Sequence, residues 1–250
     1  GSIRYFTSDA MWERGIKVSS AYTVNGEWVA KFTVAQIILA LKNYWTACNA
    51  YAELKHHWPQ RDNCPGMYNA NIGIISLGAI GRQVVDLLKP FDLNVYAYDP
   101  FWTQDKADAL GVILLPLGDI FTTCDVVSLH TPWLPETVGM ITGDYIRSMK
   151  PYTTFINTAR GAVVREEEMI AVLQERKDIT ALLDVTYPEP PAEDSKLWSL
   201  PNVVLSPHIA GSISGEVEKM GWLMTEEFLR WMNGDTMINE ISKERSKILA

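Results

Sequence analysis

The chain has 250 residues, 47% of them hydrophobic and 21% charged, a composition that argues against disorder and leaves room for one large domain or two smaller ones. With 30 acidic and 22 basic side chains the net charge is −8, so neither nucleic acid nor an anionic membrane is an expected partner. Cys48, Cys64 and Cys124 are scattered and odd in number, and no apolar run reaches the length of a membrane span, which together point to the cytoplasm.

In chain order, Gly15–Ser19 reads as a strand, and a long helical segment follows from about Glu27 to His56, with Val29, Phe32, Leu41 and Trp45 as core contacts. Beyond it, short apolar runs alternate with helical stretches. The runs are Ile72–Ile75, Val95–Tyr98, Val112–Leu115, Val126–Leu129, Thr154–Ile156, Ala181–Val185 and Val203–Leu205. Several are apolar without alternation, as parallel strands covered on both faces by helices should be. Helices are predicted over Arg82–Leu88 and over Arg165–Arg176, where Met169, Ile170, Val172 and Leu173 form a broad apolar face. Near the end, Val217, Met220, Met224, Phe228 and Trp231 recur at helical spacing, a stripe read as packing, and Gly234 offers a stop. The rhythm predicts an α/β fold with a doubly wound parallel sheet.

The first of the alternating strands runs into Ser76-Leu77-Gly78-Ala79-Ile80-Gly81, a dinucleotide fingerprint with its first glycine replaced. A strand, a tight turn and a helix N-terminus set free N–H groups and the positive end of a helix dipole against a pyrophosphate. Asp99 closes the next strand, near the position where an acid accepts the adenosine ribose hydroxyls. Alone, it also reads as a turn residue before Pro100.

Four further motifs follow in order: Cys124-Asp125-Val126-Val127-Ser128-Leu129-His130-Thr131-Pro132, Phe155-Ile156-Asn157-Thr158-Ala159-Arg160-Gly161, Asp184-Val185-Thr186-Tyr187-Pro188-Glu189-Pro190, and Leu200-Pro201-Asn202 through Ser206-Pro207-His208-Ile209-Ala210. Together they resemble the D-isomer-specific 2-hydroxyacid dehydrogenases, from about Arg14 to the C-terminus. The resemblance implies a Rossmann-type dinucleotide domain over residues 25–212. It makes 1–24 and 213–250 the remnant of a smaller, flavodoxin-like substrate domain, because relatives carry a considerable segment before the point equivalent to Gly1.

By the same resemblance the cofactor is NAD and the substrate a small 2-hydroxy or 2-oxo acid, with no metal and a homodimeric assembly. The implied catalytic set is Arg160, Glu189 and His208. Implied cofactor contacts are Gly78, Ala79, Ile80, Gly81, Asp99, Thr158, Ala159, Arg160, Asp184 and the backbone from His208 to Ala210 and Gly211. His130 and Pro132 fall where relatives line the cofactor cleft.

The residue types suit the chemistry. A guanidinium fork at Arg160 grips a carboxylate and the neighbouring oxygen, and His208 takes or returns the hydroxyl proton while Glu189 orients the ring and favours its charged form. Each has a plainer reading alone: a structural carboxylate clamp, an exposed acid in a Pro-rich loop, a hydrogen-bonded core histidine. Two other classes stay open: a nucleotide-sensing interaction protein without turnover, and a relative that oxidises formate or phosphite. Departures from the pattern are Ser76 for glycine, Lys31 where relatives commonly carry an acid, and Arg4-Tyr5-Phe6-Thr7. Gly1-Ser2 fall near a family loop that holds the substrate carboxylate and are assigned no role. His56-His57 and Cys64 read as a solvated helix end.

Overall fold

The computed structural model describes residue 3 and residues 6–55 and 64–247; Gly1-Ser2, Arg4-Tyr5 and His56-His57 lie outside the described residues. The chain divides into two compact units, Ala30–Ala210, and Gly1–Val29 together with Gly211–Ala250.

The first unit is built on seven strands: β1 (Ala70–Ile75), β2 (Leu93–Tyr98), β3 (Ile113–Leu114), β4 (Val126–Leu129), β5 (Thr154–Asn157), β6 (Thr180–Leu183) and β7 (Val203–Leu205). All pair in parallel, in the order β3-β2-β1-β4-β5-β6-β7. Each falls on a run that the sequence marks as a strand. The order reverses between β1 and β4, the place where an open α/β sheet leaves a crevice at its carboxyl edge.

Every position of β4, β5 and β6 is buried, which is why these runs are apolar without alternation. Side chains still alternate between the two faces. Ile75, Val127, Leu129, Phe155, Ala181 and Leu183 enter one apolar cluster, and Ile72, Ile74, Val126, Ile156 and Leu182 the other. Each fully buried Ile or Leu contributes about 1.5–3 kcal/mol. The helix Ala79–Leu88 covers one face with Val84, Val85 and Leu88, and Glu166–Glu175 covers the other with Met169, Val172 and Leu173; Ile170 is half-buried.

The single long helix expected from Glu27 is two, Tyr22–Leu41 and Tyr44–Leu54. Lys42 and Asn43 donate to the carbonyls of Leu39 and Ala40, tightening the last turn, and Asn43 then takes a left-handed φ of 48°. Asn tolerates that conformation, so the chain breaks there. Val29 and Leu41 are buried as expected, whereas Phe32 and Trp45 are half-buried.

In the second unit two expectations fail. Gly15–Ser19 is not a strand: Gly15, at φ 68°, closes the short helix Asp9–Glu13, and only Ser19 makes a bridge, to Glu240. The apolar stripe does fall on one helix, Glu216–Met232, but Val217, Phe228 and Trp231 are each more than half exposed and Met220 and Met224 half-buried. The helix instead turns in Glu227, its one buried residue, which accepts hydrogen bonds from Asn239 N–H (2.7 Å), Ile238 N–H (3.1 Å), Arg230 Nη1 (2.8 Å) and Ser19 Oγ (3.2 Å). Burial alone raises a carboxyl, but these donors hold Glu227 below its usual value. No helix among the described residues is long and apolar enough to cross a membrane.

Candidate active site

In a parallel sheet all strands end on the same edge, and the sequence-selected residues follow those ends. After β1, Ser76 donates its N–H to Tyr98 C=O (2.7 Å) and takes a φ of 81°. A side chain costs about 1 kcal/mol there, so this turn is one that glycine would suit. Gly78 caps the helix Ala79–Leu88 with no side chain on the first-turn N–H groups, and Ala79 and Ile80 follow half-buried. A Cβ at Gly81 would lie 2.1 Å from the Ser76 carbonyl oxygen, so helix and turn approach too closely for any side chain. At Gly78 the nearest atom to such a Cβ is 3.9 Å away, and the space above the helix end is open. A bare helix N-terminus under an open glycine fits a pyrophosphate.

Asp99 follows β2. Its Oδ2 accepts Leu77 N–H at 2.8 Å and its Oδ1 accepts Phe101 N–H at 2.9 Å. The acid therefore ties the end of β2 to the loop after β1, and each oxygen keeps a lone pair for a further donor.

His130 and Pro132 follow β4. His130 is buried; its Nε2 shares a hydrogen bond with Ser128 Oγ at 3.0 Å, and burial pushes its pKa down to about 4, so the ring is neutral at pH 7. Pro132 C=O accepts Thr137 Oγ1 at 2.6 Å. After β5, Thr158 Oγ1 pairs with Thr33 Oγ1 at 3.0 Å, both buried. Ala159 follows, its carbonyl accepting Arg160 Nη1 at 2.6 Å. Burial lowers the Arg160 guanidinium pKa and the nearby Glu189 carboxylate opposes this; Arg160 stays charged.

Asp184 follows β6 and is buried. Its Oδ1 accepts Ser206 Oγ (2.6 Å) and Ile209 N–H (2.9 Å), its Oδ2 accepts Ala210 N–H (2.9 Å), and its carbonyl accepts His208 N–H (3.0 Å). One acid thus folds the turn after β7 in which His208 sits at φ 54°. His208 Nδ1 in turn meets Glu189 Oε1 at 2.6 Å. The Glu189 loop is fixed from below: Tyr187 N–H donates to Glu166 Oε2 at 2.9 Å and Thr186 Oγ1 to Pro188 C=O at 2.8 Å. Gly211 belongs to the other unit, where a Cβ on it would lie 2.9 Å from Asn25 Oδ1. Among the described residues no group of His, Cys, Asp and Glu could hold a metal ion.

The structure thus brings Glu189 and His208 into contact and sets Arg160 within electrostatic reach of Glu189. Sequence reasoning missed three side chains that shape these loops. Asn157 and Ser206 lay inside the quoted motifs and could have been singled out; Thr33 carried no signal.

The profile of the D-isomer specific 2-hydroxyacid dehydrogenase NAD binding domain matches residues 34–210. The chain belongs to this family. The doubly wound sheet and NAD as cofactor, both expected from the sequence, are those of the 2-hydroxyacid dehydrogenase NAD-binding domain. Curated relatives of this domain include the D-3-phosphoglycerate dehydrogenases of Archaeoglobus fulgidus and Methanocaldococcus jannaschii, each 31% identical over 94% of the chain. The chain spans 44% of the length of each. Among solved structures, the TT0316 protein of Thermus thermophilus is 30% identical with a TM-score of 0.78, covering 94% of this chain and 74% of that one. The NAD-complexed D-isomer specific 2-hydroxyacid dehydrogenase of Lactobacillus delbrueckii ssp. bulgaricus shares the fold with a TM-score of 0.80 at 24% identity, with the same coverage.

Proposed function

We propose that this chain carries the cofactor-binding and proton-transferring parts of an oxidoreductase that interconverts D-2-hydroxy acids and 2-oxo acids. The observation that carries the reading is the 2.6 Å contact between His208 Nδ1 and Glu189 Oε1, at the sheet edge that also bears Arg160. Bound NAD supplies the hydride chemistry. Arg160 grips the substrate carboxylate with a planar, permanently charged fork. Through Nε2, His208 takes the hydroxyl proton in oxidation and returns it in reduction, and Glu189 holds the ring for that transfer through Nδ1.

The phosphate loop from Gly78 to Gly81 cradles the pyrophosphate, with Thr158, Ala159, Asp184 and Ala210 along the same edge, and the lone pairs left on Asp99 accept ribose hydroxyls. An acid there repels a 2′-phosphate, so NAD(H) is preferred to NADP(H). In this reading residues 25–212 form the dinucleotide domain, 1–24 and 213–250 belong to a smaller substrate domain, and the protein works in the cytoplasm as a homodimer.

The test is NADH oxidation with pyruvate, hydroxypyruvate, glyoxylate and bulkier 2-oxo acids, beside titrations with NADH and NADPH. Turnover of at least one 2-oxo acid and tighter NADH binding are expected, with Asp99→Ala narrowing the cofactor gap. Tight NADH binding with neither turnover of any 2-oxo acid nor binding of one to the NADH complex would instead favour a nucleotide-sensing protein and overturn the enzymatic reading.

A further inference from the structure

The loop after β5 carries Arg160, and one side chain dictates its shape. Asn157 ends β5 and is 1% exposed. Its Oδ1 accepts Ala159 N–H at 3.0 Å, and its Nδ2 donates to Arg160 C=O at 3.2 Å. Those two groups belong to the peptide units on either side of the one joining Ala159 to Arg160. That middle unit supplies the Ala159 carbonyl, which accepts Arg160 Nη1 at 2.6 Å. A single amide thus clamps the flanking peptides and aims the carbonyl between them, and that carbonyl orients the guanidinium.

Ala159 N–H needs an acceptor and Arg160 C=O needs a donor, and both must come from one side chain at one position. A carboxamide meets both needs at once, with its donor and acceptor on separate atoms. Aspartate keeps the volume and the acceptor but sets an oxygen against the Arg160 carbonyl. Two neighbours make the clamp rigid. A Cβ on Gly161 would lie 2.1 Å from the carbonyl carbon of Thr186, which pins the downstream end, and the Thr33–Thr158 hydroxyl pair holds the upstream one.

We propose that Asn157 is a positioning residue for Arg160, fixing the guanidinium in the orientation that receives the substrate carboxylate. The inference rests on the reading of Arg160 as the carboxylate-binding group. It adds that the fork is aimed by its own backbone, and that this backbone is held by a residue that touches neither substrate nor cofactor. Orientation on this scale matters because a small misplacement of a binding group costs large factors in rate.

The experiment compares Asn157→Ala, Asn157→Asp and Arg160→Ala with the parent chain. The probe is oxamate, a carboxylate isostere of a 2-oxo acid, titrated into NADH-saturated protein, with NADH affinity measured separately. Both Asn157 variants should weaken oxamate at least tenfold and NADH at most threefold, and Arg160→Ala should abolish oxamate binding. Unchanged oxamate affinity in the Asn157 variants, with loss in Arg160→Ala, overturns the positioning role and leaves the functional reading standing. Undiminished oxamate binding in Arg160→Ala overturns the functional reading instead. A second readout needs no ligand: the Arg160 Nε–H resonance, identified by its disappearance in Arg160→Ala, should be sharp in the parent chain and exchange-broadened in Asn157→Asp. An equally sharp signal in both refutes the clamp even where Asn157→Ala fails to fold.

Discussion

The carboxylate of Glu189 sits 2.6 Å from Nδ1 of His208, which directs Nε2, the ring's other nitrogen, away from the acid. The pair therefore works as one device, and removing either half should remove most of its effect. His208→Ala should lower the maximal rate about 100-fold with NADH affinity retained, the usual scale for losing a general acid–base. Adding Glu189→Ala to that variant should cost less than about threefold more, because residues that act as a unit are not additive. Steady-state kinetics of the double-mutant cycle decides. Two full, independent losses would separate the residues.

Gly81 offers a steric test. Its Cβ would fall 2.1 Å from a backbone oxygen, that of Ser76, and backbone cannot swing aside as a flexible side chain can. Gly81→Ala should destabilise the chain by about 1–3 kcal/mol, as overpacking does, and weaken NADH at least tenfold by pushing the helix end off the turn. Urea unfolding and NADH titration report the two effects. Unaltered NADH affinity would mean that the turn does not contact the cofactor.

Ser76 probes the same turn from the other side. At φ 81° a side chain is strained, although glycine carries its own entropic cost in the unfolded chain. The net effect of Ser76→Gly should be small and favourable, up to about 1 kcal/mol, or roughly 2–4 °C in Tm. Ser76→Val, branched at Cβ, should lower Tm. A Tm loss in Ser76→Gly would show that the serine side chain supports the turn.

His130 should leave a mark on acid stability. An unfolded histidine titrates near 6.5 and this one near 4, so between those values the unfolded chain binds the extra proton. The contribution is complete above pH 6.5 and lost as the pH falls to 4, about 3 kcal/mol in all. His130→Gln should therefore lose about 2 kcal/mol less than the parent chain between pH 7 and pH 4.5, measured by urea unfolding at each pH. Parallel losses in the two would place the acid sensitivity elsewhere.

What the sequence reveals, and what it hides, divides along the range of the interactions involved. The runs at β4, β5 and β6 are legible because burial on both faces leaves a mark on every residue. The break at Asn43 is not, since it depends on a single left-handed residue between two good helices. The stripe from Val217 to Trp231 has the right period for a helix, but period cannot say which face turns inward; Glu227 decides that through donors on Ile238 and Asn239. The site divides in the same way. The contact of Glu189 with His208 follows from motifs read in order, whereas the peptide-holding work of Asp99, Asn157 and Asp184 rests on hydrogen bonds that composition and spacing do not record.

The division of the chain also sets an order of assembly during synthesis. Ala30–Ala210 is continuous, and holds all seven strands together with Arg160, Glu189 and His208. The other unit is stitched from Gly1–Val29 and Gly211–Ala250, with Ser19 Oγ reaching a carboxylate 208 residues away. At translation rates of about 5–20 residues per second, Gly211 follows Val29 by roughly 10–40 s. The last strand of the continuous unit, β7, is made before any of Gly211–Ala250. On the ribosome the nucleotide-binding unit is therefore the older of the two, able to take its fold before Gly211–Ala250 joins Gly1–Val29.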